Sequence, residues 1–422
     1  MRISSALYFQ TGVNTINKQE GDLLHLFQQI GTGRRMITPA DDPLAAAQSI
    51  TLSQAQSMNQ RFGENREIAM RALGETENVL DSVVTHLAGL KTRLIEAGNG
   101  ALSDQDRAAL AQVLAQSQET LMGAMNATDA AGRYIFGGSQ GKSQPFTQVD
   151  GRYIYQGDTG DSAARNIQVD HSRVIDVGNH GSDVFLRSAP GAMTFIHGGS
   201  AHNTGIAVVG SMQIHAPKKA SQVQRLELQH VGDPEAGWQV QVHYLDEHNE
   251  STIATYEFDA TETPAVIDLK DEFGVSFQIK GAAKAGDQLY YQQAKTLNGA
   301  DELNLLNVLA DVIDALEQPT KGDEAAQARL QNTLNQALQT IDINYDNVLT
   351  VRASVGSRMN ELDSLENSGS VQSLQISKEL SRLEDVDYYT ATTQLSLRKM
   401  ALEAASMAFI KIQGTSLFSM GK

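Results

Sequence analysis

The sequence predicts an α+β fold, an elongated, discontinuous antiparallel helical bundle or coiled coil built from both chain ends, with a β-rich outer domain inserted between them. Three observations predict it. Near both termini the apolar residues recur in steps of three and four, the period of helices packed along helices. Between about residues 134 and 290 the period drops to two and glycine becomes frequent, as in half-buried strands joined by turns. Neither terminal segment can bury its own stripe, so segments far apart in sequence must pair.

Composition sets the outer bounds. A chain of 422 residues exceeds one usual domain. With 41% hydrophobic and only 6% aromatic residues, cores built from Leu, Ile, Val and Ala are expected. The net charge of -17 leaves no basic footprint for nucleic acid and opposes binding to an anionic membrane. The two basic pairs, Arg34-Arg35 and Lys218-Lys219, are too short to alter this. Absence of cysteine excludes disulfides, thiolate metal sites and cysteine nucleophiles. Ser4, Ser5 and Gln10 interrupt the N-terminal apolar residues, and no run reaches the ~18–20 residues of a membrane span. Export without a cleaved signal, and no membrane insertion, are the expectations.

The first stripe runs Phe9, Val13, Ile16, Leu23, Phe27, Ile30, interrupted only by Glu20. Gly31-Thr32-Gly33 then reads as a helix stop. Asp42 before Pro43 has the form of an N-cap followed by proline at the first helical position. Leu73, Thr76, Leu80, Val83, Leu87, Leu90 and Leu94 mark the next long helix, which Gly98-Asn99-Gly100 stops. Ser103 and Asp106 form a capping box for a helix carrying Leu110, Leu114 and Leu121. Beyond residue 300 a helix carries Leu306, Leu309, Ile313 and Leu316, and a longer one carries Leu334, Leu338, Ile341, Tyr345, Val348, Val355, Met359 and Leu362. The last helix carries Ala391, Leu395, Leu402, Ala405, Phe409 and Ile412, with Arg398 out of pattern. A second stripe on it, Leu397, Met400, Ala404 and Met407, widens the apolar face beyond what one partner helix covers. An isolated helical pair is marginal, so these ends are expected to fray in the monomer and to order against neighbours.

In the middle, Trp238, Val240, Val242 and Tyr244 alternate with Gln239, Gln241 and His243, and Val275, Phe277 and Ile279 alternate likewise. Gly232-Asp233-Pro234 and Glu247-His248-Asn249 read as turns. The expected division is residues 1–42 with 385–422 as terminal coiled-coil helices, 43–185 with 292–384 as a helical body with short hairpins, and 186–291 as the β-rich insertion.

Candidate chemistry is sparse. Ile135 to Ser143 imitates a phosphate-binding loop, but Phe136 stands where the first glycine belongs and Gln144-Pro145 replaces the helix that should follow. Asp41-Asp42-Pro43 lacks the further oxygen ligands of a calcium loop. His171, His180, His202, His215 and His230 show no metal-ligand spacing and read as surface residues. No nucleophile elbow occurs. Neither catalysis, a cofactor nor a metal is expected.

Two segments carry a resemblance. Gln29 to Gln48, with Gly33, Arg34, Asp41, Asp42 and Pro43, resembles the N-terminal motif of the bacterial flagellin family, and Leu383 to Ala391 resembles that family's C-terminal motif. The block from Gly132 to Ser139, with Tyr134, Phe136 and Gly137, followed by Pro145-Phe146 and by Tyr155 to Asp158, resembles the hook-associated branch of the family and is generally lacking in flagellins.

The resemblance implies a structural subunit exported unfolded through the flagellar type III apparatus to the extracellular flagellum. It implies terminal helices that form the inner tube, so that Phe9, Val13, Ile16, Leu23, Phe27, Ile30, Leu395, Leu402, Phe409 and Ile412 serve assembly. It further implies one ring layer of this chain, joining the hook, through the other hook-associated junction protein, to flagellin, and a cytoplasmic export chaperone bound to the C-terminal helices beforehand. A filament-forming flagellin is the alternative, and an adhesin or enzyme activity in the outer β domain a more distant one.

Overall fold

The computed structural model describes residues 2–158, 165–232, 237–246, 248, 250–259 and 264–418; within its terminal helices the side chains of 2–6, 8 and 412–418 lie outside the described residues. Parts of both expected turns, Asp233-Pro234 and Glu247 with Asn249, and the Ile412 side chain therefore fall outside the described set. The chain divides into two compact units, residues 1–66 with 363–422, and residues 67–362.

Helix α1 (Arg2–Thr32) ends where Gly33 adopts φ +72°, a conformation glycine reaches without strain. Helix α2 (Pro43–Ala97) starts at the expected cap, with the Ala45 N–H donating to Asp42 Oδ1 at 3.1 Å. Its seven-residue stripe from Leu73 to Leu94 is buried throughout. Helix α3 (Asp104–Met125) opens on the Ser103/Asp106 capping box, both halves of which are formed.

Strands β1 (Phe146–Val149) and β2 (Arg152–Tyr155) form a hairpin in register Val149 to Arg152. Its two-residue turn, Asp150-Gly151, has positive φ at both positions, as the favoured hairpin turn requires. Strands β3 (Asn166–Asp170) and β4 (Arg173–Asp176) pair next, followed by the short helix α4 (Gly181–Phe185).

The β-rich region holds β5 (Phe195–Gly199), β6 (Val208–Val209), β7 (Gln213–Ile214), helix α5 (Pro217–Ala220), β8 (Val223–His230), β9 (Trp238–Leu245), β10 (Ser251–Phe258), β11 (Ala265–Leu269), helix α6 (Lys270–Phe273), β12 (Val275–Lys280) and β13 (Gln288–Gln293). One antiparallel sheet has the order β10-β9-β8-β13-β5, and a second has β11-β12-β6 with β7 also on β12. A single core cluster draws Leu226, Trp238, Val240 and Tyr291 from the first sheet and Ile267, Phe277 and Ile279 from the second. The two sheets thus pack as a sandwich, and the period-two residues are its inner faces. Trp238 is 2% exposed, so it belongs to that core and forms no platform.

Helix α7 (Leu305–Glu317) packs on α3, burying Leu306, Leu309, Val312 and Leu316, with Ile313 half-buried. Helix α8 (Glu324–Glu384) and helix α9 (Tyr388–Phe418) complete the chain. The α8 stripe holds Leu334, Ile341, Val348, Val355 and Leu362 in the core and leaves Leu338, Tyr345 and Met359 half-buried, interleaved with buried polar residues the apolar period did not reveal. Asn332 Oδ1 accepts from the Val209 N–H at 3.1 Å and its Nδ2 donates to the Ala207 carbonyl at 3.0 Å. Asn347 Nδ2 donates to the carbonyls of Asp183 and Val184, both at 2.8 Å, and Asn344 Nδ2 to that of Leu303 at 3.2 Å. These amides satisfy backbone groups of the inserted segments that no strand or helix reaches.

Candidate assembly surfaces

In the unit formed by the two chain ends, α1 and α9 lie antiparallel. The Phe9 and Phe409 rings are 5.1 Å apart between centroids, Asp22 meets Arg398 in an ion pair, and the Val386 N–H donates to the Gly33 carbonyl at 2.9 Å. Arg398, out of pattern in the sequence, is therefore the partner of Asp22.

The pair divides its apolar residues between two faces. Val13, Ile16, Leu23 and Ile30 of α1 and Leu395, Leu402, Ala405 and Phe409 of α9 are half-buried by the pairing, and Leu26 and Ala391 are buried. Leu26 was missed, because it lies one position off the step pattern. Phe9 and Phe27 keep 51% and 52% of their surface. The second stripe of α9 stays open: Leu397 is 57%, Met400 56% and Met407 66% exposed, joined by Ile410 at 65% and, on α1, by Leu7 and Leu24. Exposed large apolar residues at helical spacing, on a helix already paired on its other side, are a surface that water disfavours and another helix would cover.

The connectors at the base of this pair are tied to each other. The Arg35 N–H donates to the Glu384 carbonyl at 2.6 Å, its Nε to the Leu383 carbonyl at 3.0 Å, and Ser49 Oγ donates to the Glu384 carboxylate. Asp41 Oδ2 accepts the N–H groups of Ile37 and Thr38 at 2.9 and 2.8 Å, and His25 Nε2 lies 3.1 Å from its other oxygen. Those backbone donors, Thr38 first, hold the Asp41 carboxyl below its ordinary range. Arg34 is exposed beside Asp385, and its backbone forms a bridge to that residue. The motif residues Gly33, Arg34, Asp41, Asp42 and Pro43 thus shape the two turns between helices.

The second block, in the other unit, is a packed aromatic knot. Phe136 and Phe146 are fully buried and both meet Phe185 edge-on, at 5.1 and 5.7 Å, and Phe146 lies 5.1 Å from Tyr155. The Tyr155 hydroxyl donates toward the carbonyls of Phe136 and Asp158, each at 3.0 Å, and accepts the Gly181 N–H at 3.1 Å. Burial pushes its ionisation up to about 12. Gly181 has no room for a side chain, since a Cβ there would sit 2.6 Å from Tyr155 and 2.8 Å from Phe146. Gly137 and Pro145 are buried, Tyr134 half-buried, and the Pro145 carbonyl accepts the Gln156 N–H at 2.7 Å. Ser139 and Gln140 donate to the Asp158 carboxylate, and these bonds, Ser139 first, keep it ionised below the usual range. The Gly-rich segment is therefore a turn between α3 and β1. Phe185 and Gly181 stand outside the motif, and only the fold brings them to it.

One expectation needs correction. His180, read as a surface residue, is 4% exposed, because the Gly137 backbone bridges to it and its ring lies against Gly138. His197 is buried as well. Among the described residues no cluster of three or more His, Asp or Glu is placed to hold a metal ion, and no helix is long and apolar enough to cross a membrane.

Helical chain ends that pair with each other, with a β-sandwich inserted between them in the sequence, define a class. Residues 3–141 match the bacterial flagellin N-terminal helical region and residues 338–420 its C-terminal helical region, together just over half of the chain. The chain belongs to the bacterial flagellin family. Over its whole length it is 26% identical to flagellar hook-associated protein 3 of Escherichia coli (strain K12), with 100% of each chain covered. Among solved structures it is similar to flagellar hook-associated protein-3 from Legionella pneumophila, with TM-score 0.64, 25% identity and coverage of 79% of this chain and 98% of that one. FlgL of Xanthomonas campestris shares the fold, with TM-score 0.62, 23% identity and coverage of 78% and 99%.

Proposed function

We propose that this chain is a structural layer of the bacterial flagellum that joins the hook to the flagellin filament. The observation that carries the reading is the two-sided α9: one face is spent on α1, and the other leaves Leu397, Met400 and Met407 in solvent. The whole-length likeness to hook-associated protein 3 favours the junction over a filament-forming flagellin.

In this reading the terminal helices of successive copies close a ring, each open α9 face covered by a neighbour's helix. Phe9, Phe27, Leu397, Met400 and Met407 carry those contacts, while Val13, Ile16, Leu23, Ile30, Leu395, Leu402 and Phe409 belong to the helical pair on which the ring rests. The layer meets the other hook-associated junction protein on one side and flagellin on the other. Before export the same open face is held by a cytoplasmic chaperone, and the chain leaves through the flagellar export apparatus. Its role is mechanical, and catalysis has no part in it. Immunolabelling of intact flagella tests the placement: a single band at the hook–filament boundary is expected, and label along the filament would favour the flagellin reading.

A further inference from the structure

We propose that the outer face of the five-stranded sheet binds a neutral, polyhydroxylated chain, that is, a glycan. The inner face of this sheet is the sandwich core, so its outer residues owe nothing to folding of that core. They form two ordered rows across β13, β8 and β9. Gln288, Gln229 and Gln239 stand directly opposite one another in the first row, and Tyr290, Glu227 and Gln241 in the second.

Strands favour β-branched and aromatic residues, and glutamine is not among them. Here four glutamines cluster, and none of their side-chain amides has a hydrogen-bond partner among the described residues. Each amide offers two donors and an acceptor. They surround a depression of about 310 Å³, of which Arg225 and Glu227 also form part. Arg225 pairs with Glu227 at 2.8 Å and lies 5.8 Å from the Tyr290 ring centre, so the two charges cancel locally.

The result is a neutral patch of planar donor and acceptor groups on a chain of net charge -17. An anionic ligand would be repelled by the whole chain and by Glu257, the exposed carboxylate that stands opposite Gln239 on β10 at the margin of the first row, while within the two rows the one carboxylate, Glu227, is paired with Arg225. An apolar ligand would strand the amides. Hydroxyl groups of a neutral sugar chain, spaced every few ångströms as the strands are, match the rows.

Saturation-transfer NMR on the full chain tests this with cellohexaose, maltohexaose and chitohexaose, and with a hexauronate as the acidic comparator. Saturation of at least one neutral hexasaccharide is expected, with affinity reduced about tenfold in the Gln239→Thr/Gln241→Thr variant, the equivalent of one or two hydrogen bonds. Threonine keeps the strand, and an unchanged thermal melt shows that it has done so. Should that variant melt early, Gln229→Ala/Gln288→Ala removes the two most exposed amides instead. Absence of transfer to every neutral oligomer at millimolar concentration, preference for the hexauronate, or equal binding by a well-folded variant would each overturn the proposal.

Discussion

Phe9 and Phe409 meet with ring centroids 5.1 Å apart at a 44° tilt, although 400 residues separate them. Gly12 lies beneath the contact, and a Cβ there would sit 2.8 Å from Phe409. The stack helps fix the register of α1 against α9 near the chain termini.

Phe9→Ala and Phe409→Ala should therefore destabilise the helix pair non-additively. A double-mutant cycle, read by amide exchange in α1, should return a coupling of roughly 0.5–1.5 kcal/mol, near the low end because both rings are partly exposed. Gly12→Val should uncouple the same residues by displacing the Phe409 ring. Strict additivity would show that the stack contributes nothing to pairing.

The aromatic knot makes a sharper demand. Gly181→Ala drives a methyl group into Tyr155 and Phe146, two rings held in a buried cluster, and should cost about 1–3 kcal/mol. Tyr155→Phe should cost less, roughly 0.5–1.5 kcal/mol, because the Asp158 carbonyl loses the hydroxyl while the Gly181 N–H keeps the Phe136 carbonyl at 2.9 Å. Urea melts of the two variants check both figures.

Asn332 replaces a missing strand neighbour for the backbone at Ala207 and Val209. Asn332→Leu fills the space but leaves a buried N–H and a carbonyl without partners. A loss of about 2 kcal/mol or more is expected in urea melts, with faster amide exchange at Val209.

His197 should give the fold a pH dependence. It is buried against the Tyr291 ring, and burial lowers its ionisation to about 4 from the ordinary 6.5. The unfolded chain binds a proton there that the folded chain refuses. The stability due to this difference is complete above pH 6.5 and is lost as pH falls toward 4, with a total of up to roughly 3 kcal/mol. Melts of wild type and His197→Phe across that window should diverge, the variant being flatter with pH. Parallel curves would contradict the assignment.

Legibility in the sequence followed the physics of each element. The stripe from Leu73 to Leu94, the Ser103 cap and the alternation from Trp238 to Val242 were readable because burial imposes a period. The turn residues Gly33, Asp42 and Pro43 were readable because the backbone there needs particular side chains. What stayed hidden was long-range polar pairing. Asn332, Asn344 and Asn347 break the apolar period of α8 and bond to segments more than a hundred residues away in two of the three cases. His180 looked solvated because nothing local signals that Gly137 will lie across it. The open α9 face was visible as a second stripe, but only the pairing with α1 shows which stripe stays open.

That open face bears on the central claim. Leu397→Lys with Met407→Lys places two charges on a surface exposed in the isolated chain, so the monomer should melt within about 0.5 kcal/mol of wild type. Assembly should fail, because those charges would be buried by a neighbouring helix. Retained motility in this variant would contradict the surface assigned to assembly.

The most direct measurement adds purified chain to isolated hooks capped by the other hook-associated junction protein and follows growth by electron microscopy. One terminal layer that stops growing, and that then seeds filament only when flagellin is added, is the predicted result. Long filaments formed by this chain alone would contradict the junction account.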